Sequence, residues 1–178
     1  DVAQGRLILE DCDITSLREN GVEIHGGADP MIVRNRIHGC GKAGILVYGS
    51  GKGSIEENDI FGNAHSGVKV TGGSSPNVRR NRIHDGEQGG VYVYENGEGT
   101  IEDNEIFGNA HAGVSVKEGG NPTVRGNRIN RNGYEAVWAN EGGGGTFEDN
   151  DLRDNERGAW DISSDSRENV TRARNRLK

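Results

Sequence analysis

Asparagine recurs along this chain at a fixed interval of 23 residues. Asn35, Asn58, Asn81, Asn104, Asn127 and Asn150 keep it, Cys12 holds the same slot one period earlier, and Asn175 follows Asn150 after 25. Two positions on comes an aliphatic residue: Ile14, Ile37, Ile60, Ile83, Ile106, Ile129, Leu152 and Leu177. A second motif, small-apolar-x-apolar, begins at Gly21, Gly44, Gly67, Gly90, Gly113, Ala136 and Ala159, again 23 apart. Such a beat means stacked units, each too small to bury a core alone. A 23-residue unit is too short for paired helices, and the leucine-rich frame is absent.

Each unit carries three short strand-like pieces. In one of them these are Ile83-His84, then Val91 to Tyr94, then Thr100 to Glu102. Val91 and Val93 alternate with Tyr92 and Tyr94, as the two faces of a strand require. Glycine-rich corners separate the pieces. Three strands per turn, stacked in register, predict an all-β fold: a single-stranded right-handed parallel β-helix of about seven coils. The pattern runs through residues 1–178 as one domain, with a two-residue insertion expected within 163–168 of the last coil. The chain opens at Asp1 in mid-pattern, which points to excision from a larger protein.

The architecture explains an odd composition. Leu, Ile, Val and Phe supply only 36 of 178 residues, 30 are Gly, and the net charge is −7. Taken alone, those numbers sit at the edge of disorder. A solenoid core is narrow and needs few aliphatics per coil. The Asn slots fit corners where a buried side-chain amide bonds the coils above and below, and Asn63, Asn109, Asn132 and Asn155 form a second column with Cys40 and Gly86 as substitutes. A 46-residue period overlies the first in Pro30, Pro76 and Pro122. Charges alternate too: Arg36, Asp59, Arg82, Glu105, Arg128 and Asp151 follow the successive Asn. Stacked coils then place base over acid, which favours one register.

The runs NPTVRGNRI (121–129), NRIHDG (81–86) with GGVYVY (89–94), and IEDNEIFGN (101–109) resemble the β-helix repeats of F-box-only protein eleven and, more broadly, the carbohydrate-binding protein and sugar hydrolase (CASH) repeats. The resemblance covers about residues 7–177. It implies the β-helix fold and either a protein-binding role, as in the ubiquitin-ligase relative, or action on a polysaccharide, as in pectin-active and alginate-active enzymes. No F-box helices are present, so no ligase role follows.

Catalytic signals are sparse. Polysaccharide-acting β-helices use clustered carboxylates, often with Ca²⁺ and a base. Here carboxylates obey the repeat, and each column is interrupted by Arg. Asp29-Pro30-Met31 resembles the Asp-Pro-His of alginate epimerases without the histidine. His38 and His84, and His65 and His111, are 46 apart and read as turn residues; His25 stands alone. No cofactor or metal motif is present. Cys12 and Cys40 fall in different columns, so they read as free thiols, which favours a reducing compartment such as the cytoplasm. No run is long enough to span a membrane, and no basic stripe suits nucleic acid.

One feature escapes a purely structural reading. The outward positions after each small residue are Glu23, Leu46, Lys69, Tyr92, Ser115, Trp138 and Asp161, and the next outward column includes Tyr48 and Tyr94. Leu46, Tyr48, Tyr92, Tyr94 and Trp138 are thus expected to cluster as an exposed binding face on alternate coils. The expected partner is a protein, with the chain a non-catalytic interaction or scaffold module; a polysaccharide is the alternative. End-to-end self-association is a third reading, because residues 7–10 and 170–177 show no capping helix.

Overall fold

The computed structural model describes residues 1–178. The chain winds as a right-handed parallel β-helix with no α-helix. Three sheets run along its length. The first contains eight strands, from Ile8–Glu10 through Thr100–Glu102 to Val170–Ala173. The second contains six, from Asp13–Ile14 to Arg128–Asn130. The third contains seven, from Val22–Ile24 through Val91–Val93 to Trp160–Ile162. Each strand pairs in parallel with its equivalent 23 residues away, as in Val91↔Val114 and Ile83↔Ile106, except the last first-sheet pair, where Gly145 meets Val170 at 25. The two inserted residues of the last coil lie in the turn spanning 164–169, so Val137 pairs with Trp160 in unbroken register.

The core is one continuous column. Each coil sends inward one aliphatic from the first sheet, one from the second and two from the third, for example Ile55, Ile60, Val68 and Val70. Trp160 replaces an inward valine in the last coil and meets Phe147 edge-on, ring centroids 5.7 Å apart.

The asparagine slots form two ladders. Asn104 shows the pattern: its Nδ2 donates to Val78 O at 2.9 Å and to Asn127 Oδ1 at 2.9 Å, and its own Oδ1 accepts from Asn81 N and Asn81 Nδ2. The ladder runs without a gap from the main-chain N–H of Cys12 to Asn175. These amides are 0–2 % exposed from Asn35 to Asn150, so each bond satisfies a group that water cannot reach. The second ladder breaks at Gly86, which offers Asn63 no side-chain oxygen.

Glycine holds many corners, but the corner just before each ladder position belongs mostly to charged residues. Just before each ladder Asn, the residues Asp11, Arg34, Glu57, Arg80, Asp103, Asp149 and Arg174 adopt φ between +52° and +57°; Gly126 alone is glycine. A left-handed L-residue costs about 1 kcal/mol. The column tolerates it because these side chains stack acid on base. Arg34 forks onto Asp11 at 2.9 Å, Arg80 reaches Glu57 at 3.3 Å, and Arg174 holds Asp149 at 2.7 Å. The neighbouring columns do the same, with Arg36 on Asp13 and Arg82 on Asp59.

Candidate functional site

The third sheet carries the aromatic face. Its register places Tyr92 opposite Lys69 and Ser115, and Ser115 opposite Trp138. Tyr92 and Trp138 therefore stand two strand spacings apart, about 10 Å, with a small serine between them. That step in side-chain size opens a groove of about 210 Å³. Its lining includes Tyr92, Ser115 and Trp138, with Ser66, Gln88, Gly89, His111, Lys117 and Tyr134 along the walls.

The five aromatic-face residues differ from their expected exposure. All are half-buried. The four aromatic ones each lie against a stacked or cationic neighbour. Tyr92 and Tyr94 stack with centroids 4.5 Å apart, and the Lys69 ammonium lies 5.6 Å and 5.2 Å from their rings. Lys117 lies 5.6 Å from the Trp138 ring. Tyr48 stacks on His25 at 4.6 Å. The structure thus gathers Tyr92 and Trp138 at one groove, with Tyr94 stacked on Tyr92 outside its lining. Leu46 and Tyr48 sit two coils away and do not line it.

Burial, followed by the nearby Glu118 charge and more weakly Tyr94, Glu141 and Glu95, pushes the Tyr92 hydroxyl up to about 12. It stays a neutral hydrogen-bond donor through the physiological range. Lys117 also pairs with Glu141 at 3.1 Å.

Of the wall residues, His111 reads from sequence as a turn residue, and Gln88 and Tyr134 take no role there. His111 and Tyr134 stack with centroids 4.9 Å apart, and Arg157 caps Tyr134 at 3.6 Å. The signal was in the repeat: positions 65, 88, 111, 134 and 157 form one 23-spaced column, reading His, Gln, His, Tyr, Arg. Two of the four histidines expected in turns, His38 and His84, lie instead in second-sheet strands and join a second stack there. His38, Phe61, His84 and Phe107 lie at 4.8, 5.4 and 4.6 Å from ring to ring. Asp13 bonds His38 at 2.7 Å and Asp59 bonds His84 at 2.9 Å.

Asp29-Pro30-Met31 leads into the first-sheet strand Met31–Val33, beside a 440 Å³ hollow that Arg6, Leu7, Ile8 and Ser54 also line. Met31 is 45 % exposed there, and no imidazole stands near it. No group of three His, Cys, Asp or Glu side chains is arranged to hold a metal ion. Cys40 is buried, Cys12 half-buried, and both are free. No helix is long and apolar enough to cross a membrane.

Residues 2–114 match the model of the right handed beta helix region family. No curated protein matches the chain at a significant level. Among solved structures, the periplasmic alginate epimerase AlgG is similar with a TM-score of 0.74 and 19 % identity, over 96 % of this chain and 42 % of that one. A variant of AlgG gives 0.76 and 18 %, over 97 % and 46 %. The A-module of the Azotobacter vinelandii mannuronan C-5 epimerase AlgE6 gives 0.67 and 16 %, over 98 % and 59 %. The chain thus spans less than half the length of the AlgG structures it matches, and at this identity the likeness carries the architecture alone. With more than half of its residues matched by the family model, the chain belongs to the right-handed β-helix region family.

Proposed function

We propose that this chain recognises a polysaccharide on its third sheet, with one sugar held in the groove between Tyr92 and Trp138. The observation that carries the reading is the groove itself: two aromatic walls about 10 Å apart over a serine floor, with ammonium, imidazole and phenol groups along the rim. Aromatic rings stack on the apolar faces of sugars, while convergent polar groups fix the hydroxyls. The names of the similar structures support it, since both are alginate or mannuronan epimerases. The likeness of the repeats to carbohydrate-binding protein and sugar hydrolase (CASH) repeats points the same way. The protein-binding reading rests on the same aromatic face and on the resemblance to the F-box-only repeats, and the similar structures lend it no support.

Calorimetric titration against a panel of acidic and neutral oligosaccharides tests the proposal. At least one glycan should bind, and Tyr92→Ala combined with Trp138→Ala should weaken it at least tenfold with an unchanged circular-dichroism spectrum. Binding unaffected by the double substitution, or no binding across the panel, would overturn it.

A polysaccharide-modifying role is a second reading, favoured by His111, Tyr134 and Lys117 sharing one groove. An imidazole, a phenol and a cation are the groups that proton transfer beside a sugar ring uses. Product analysis of any bound glycan, with His111→Ala as control, decides between binding and turnover.

A further inference from the structure

The charge rule of the molecule fails in one place. Elsewhere acid stacks on base from coil to coil. In the turn that follows the third sheet, Glu95, Glu118 and Glu141 stand on three consecutive coils. The main-chain bonds Gly72 N to Glu95 O, Asn96 N to Glu118 O and Glu118 N to Glu141 O keep these turns in register. Neutralisation of the row is partial. Thr71 donates to Glu95 at 2.7 Å and Lys117 pairs with Glu141. The Glu118 carboxylate is exposed and bonds to no other side chain. The row meets the groove at Lys117, which lines it and pairs with Glu141 at 3.1 Å. Like charges one strand spacing apart are unfavourable, and this stretch of surface keeps them.

Lys69 and Lys117 supply ammonium donors over Tyr92 and Trp138. The groove lining itself holds no carboxylate and one lysine, Lys117, whose charge Glu141 meets. With the Glu95, Glu118 and Glu141 row flanking it, the surroundings offer donors and acceptors together, carboxylates in slight excess. A hydroxyl both donates and accepts, so a hydroxyl-rich chain can use both sets. A polyuronate running along the coils would set its carboxylates against the Glu118 row, and an amino-glycan would set its charge against the two lysines. We propose that the Tyr92–Trp138 groove takes an uncharged glycan and discriminates against polyuronates. This rests on the reading of the third sheet as a polysaccharide site. It separates the chain from its epimerase-like neighbours in ligand charge while keeping their architecture.

The test is calorimetric titration at low salt with neutral β-1,4-linked hexasaccharides of glucose, xylose and mannose, with hexamannuronate and hexagalacturonate, and with a glucosamine hexamer. A neutral hexamer should bind at least tenfold more tightly than either uronate or the glucosamine chain. The triple variant Glu95→Gln, Glu118→Gln, Glu141→Gln should tighten uronate binding at least threefold and change neutral binding less than twofold. A uronate or glucosamine hexamer that binds the unaltered chain most tightly overturns the assignment but leaves the polysaccharide reading standing. So does a triple variant that leaves uronate affinity unchanged. Absence of binding to every hexamer overturns both.

Discussion

The γ2 methyl of Ile129 occupies the space that a β-carbon on Gly113 would need, at a separation of 2.2 Å. The same relation joins Gly44 to Ile60, Gly67 to Ile83 and Gly90 to Ile106. It ends where the aliphatic changes. Leu152 has no γ2 methyl, and the residue in the glycine slot before it is Ala136. None of these glycines has a positive φ; what each provides is room.

Gly113→Ala should therefore destabilise the fold by about 2 kcal/mol through overpacking. Adding Ile129→Leu should recover at least half of that loss, because the new side chain branches one carbon further out. Urea unfolding of both single variants and the double variant closes the cycle. Additive losses would show that the two positions are uncoupled.

The gap in the second ladder gives the converse prediction. Gly86 has no left-handed φ, and a β-carbon there would meet Asn109 Oδ1 at 3.1 Å, a contact the ladder can absorb by a slight shift. Gly86→Asn should join Asn63 to Asn109 and stabilise the protein by about 1 kcal/mol. In the complete ladder, Asn104→Ala should cost about 3 kcal/mol, since it strands Val78 O and Asn81 N in the core. Equal effects at the two sites, in either direction, would contradict the ladder account.

Acid should unfold the protein through its stacked carboxylates. The Arg153 guanidinium is the main cause holding Asp151 at about 2, with Arg176 adding to it. Hydrogen bonds from His38 and Arg174 likewise keep Asp13 and Asp149 below the ordinary range. A folded-state value below the unfolded one stabilises the protein above about pH 4, and that stability is lost as pH falls toward 2. Asp151→Asn should lower stability by about 1 kcal/mol at pH 5, after allowance for solvent screening, and by almost nothing at pH 2. Denaturant midpoints at the two pH values check the slope; an equal loss at both would contradict it.

The repeat made the fold legible, because strand pairing between identical units leaves one register for Asn81 over Asn104 and Ile83 over Ile106. It also exposed the Tyr92–Trp138 column. It did not reveal that Lys69 and Lys117 would fold over those rings, since side-chain direction depends on neighbours one coil away. The left-handed corners at Arg34 and Arg80 were hidden for a related reason: their conformation is held by ion pairs and ladder bonds between coils. His111 reads from its 46-residue spacing as a turn residue and Tyr134 belongs to no motif; their stack depends on side chains meeting between adjacent coils.

Ring stacking on a sugar would change the surroundings of Trp138 directly. Trp160→Phe leaves Trp138 as the sole tryptophan. Titrating that variant with a glycan that binds by calorimetry should shift its emission to the blue, with a midpoint equal to the calorimetric Kd. An emission spectrum that stays constant through saturation would place the ligand elsewhere and contradict the assignment of the third sheet as the binding face.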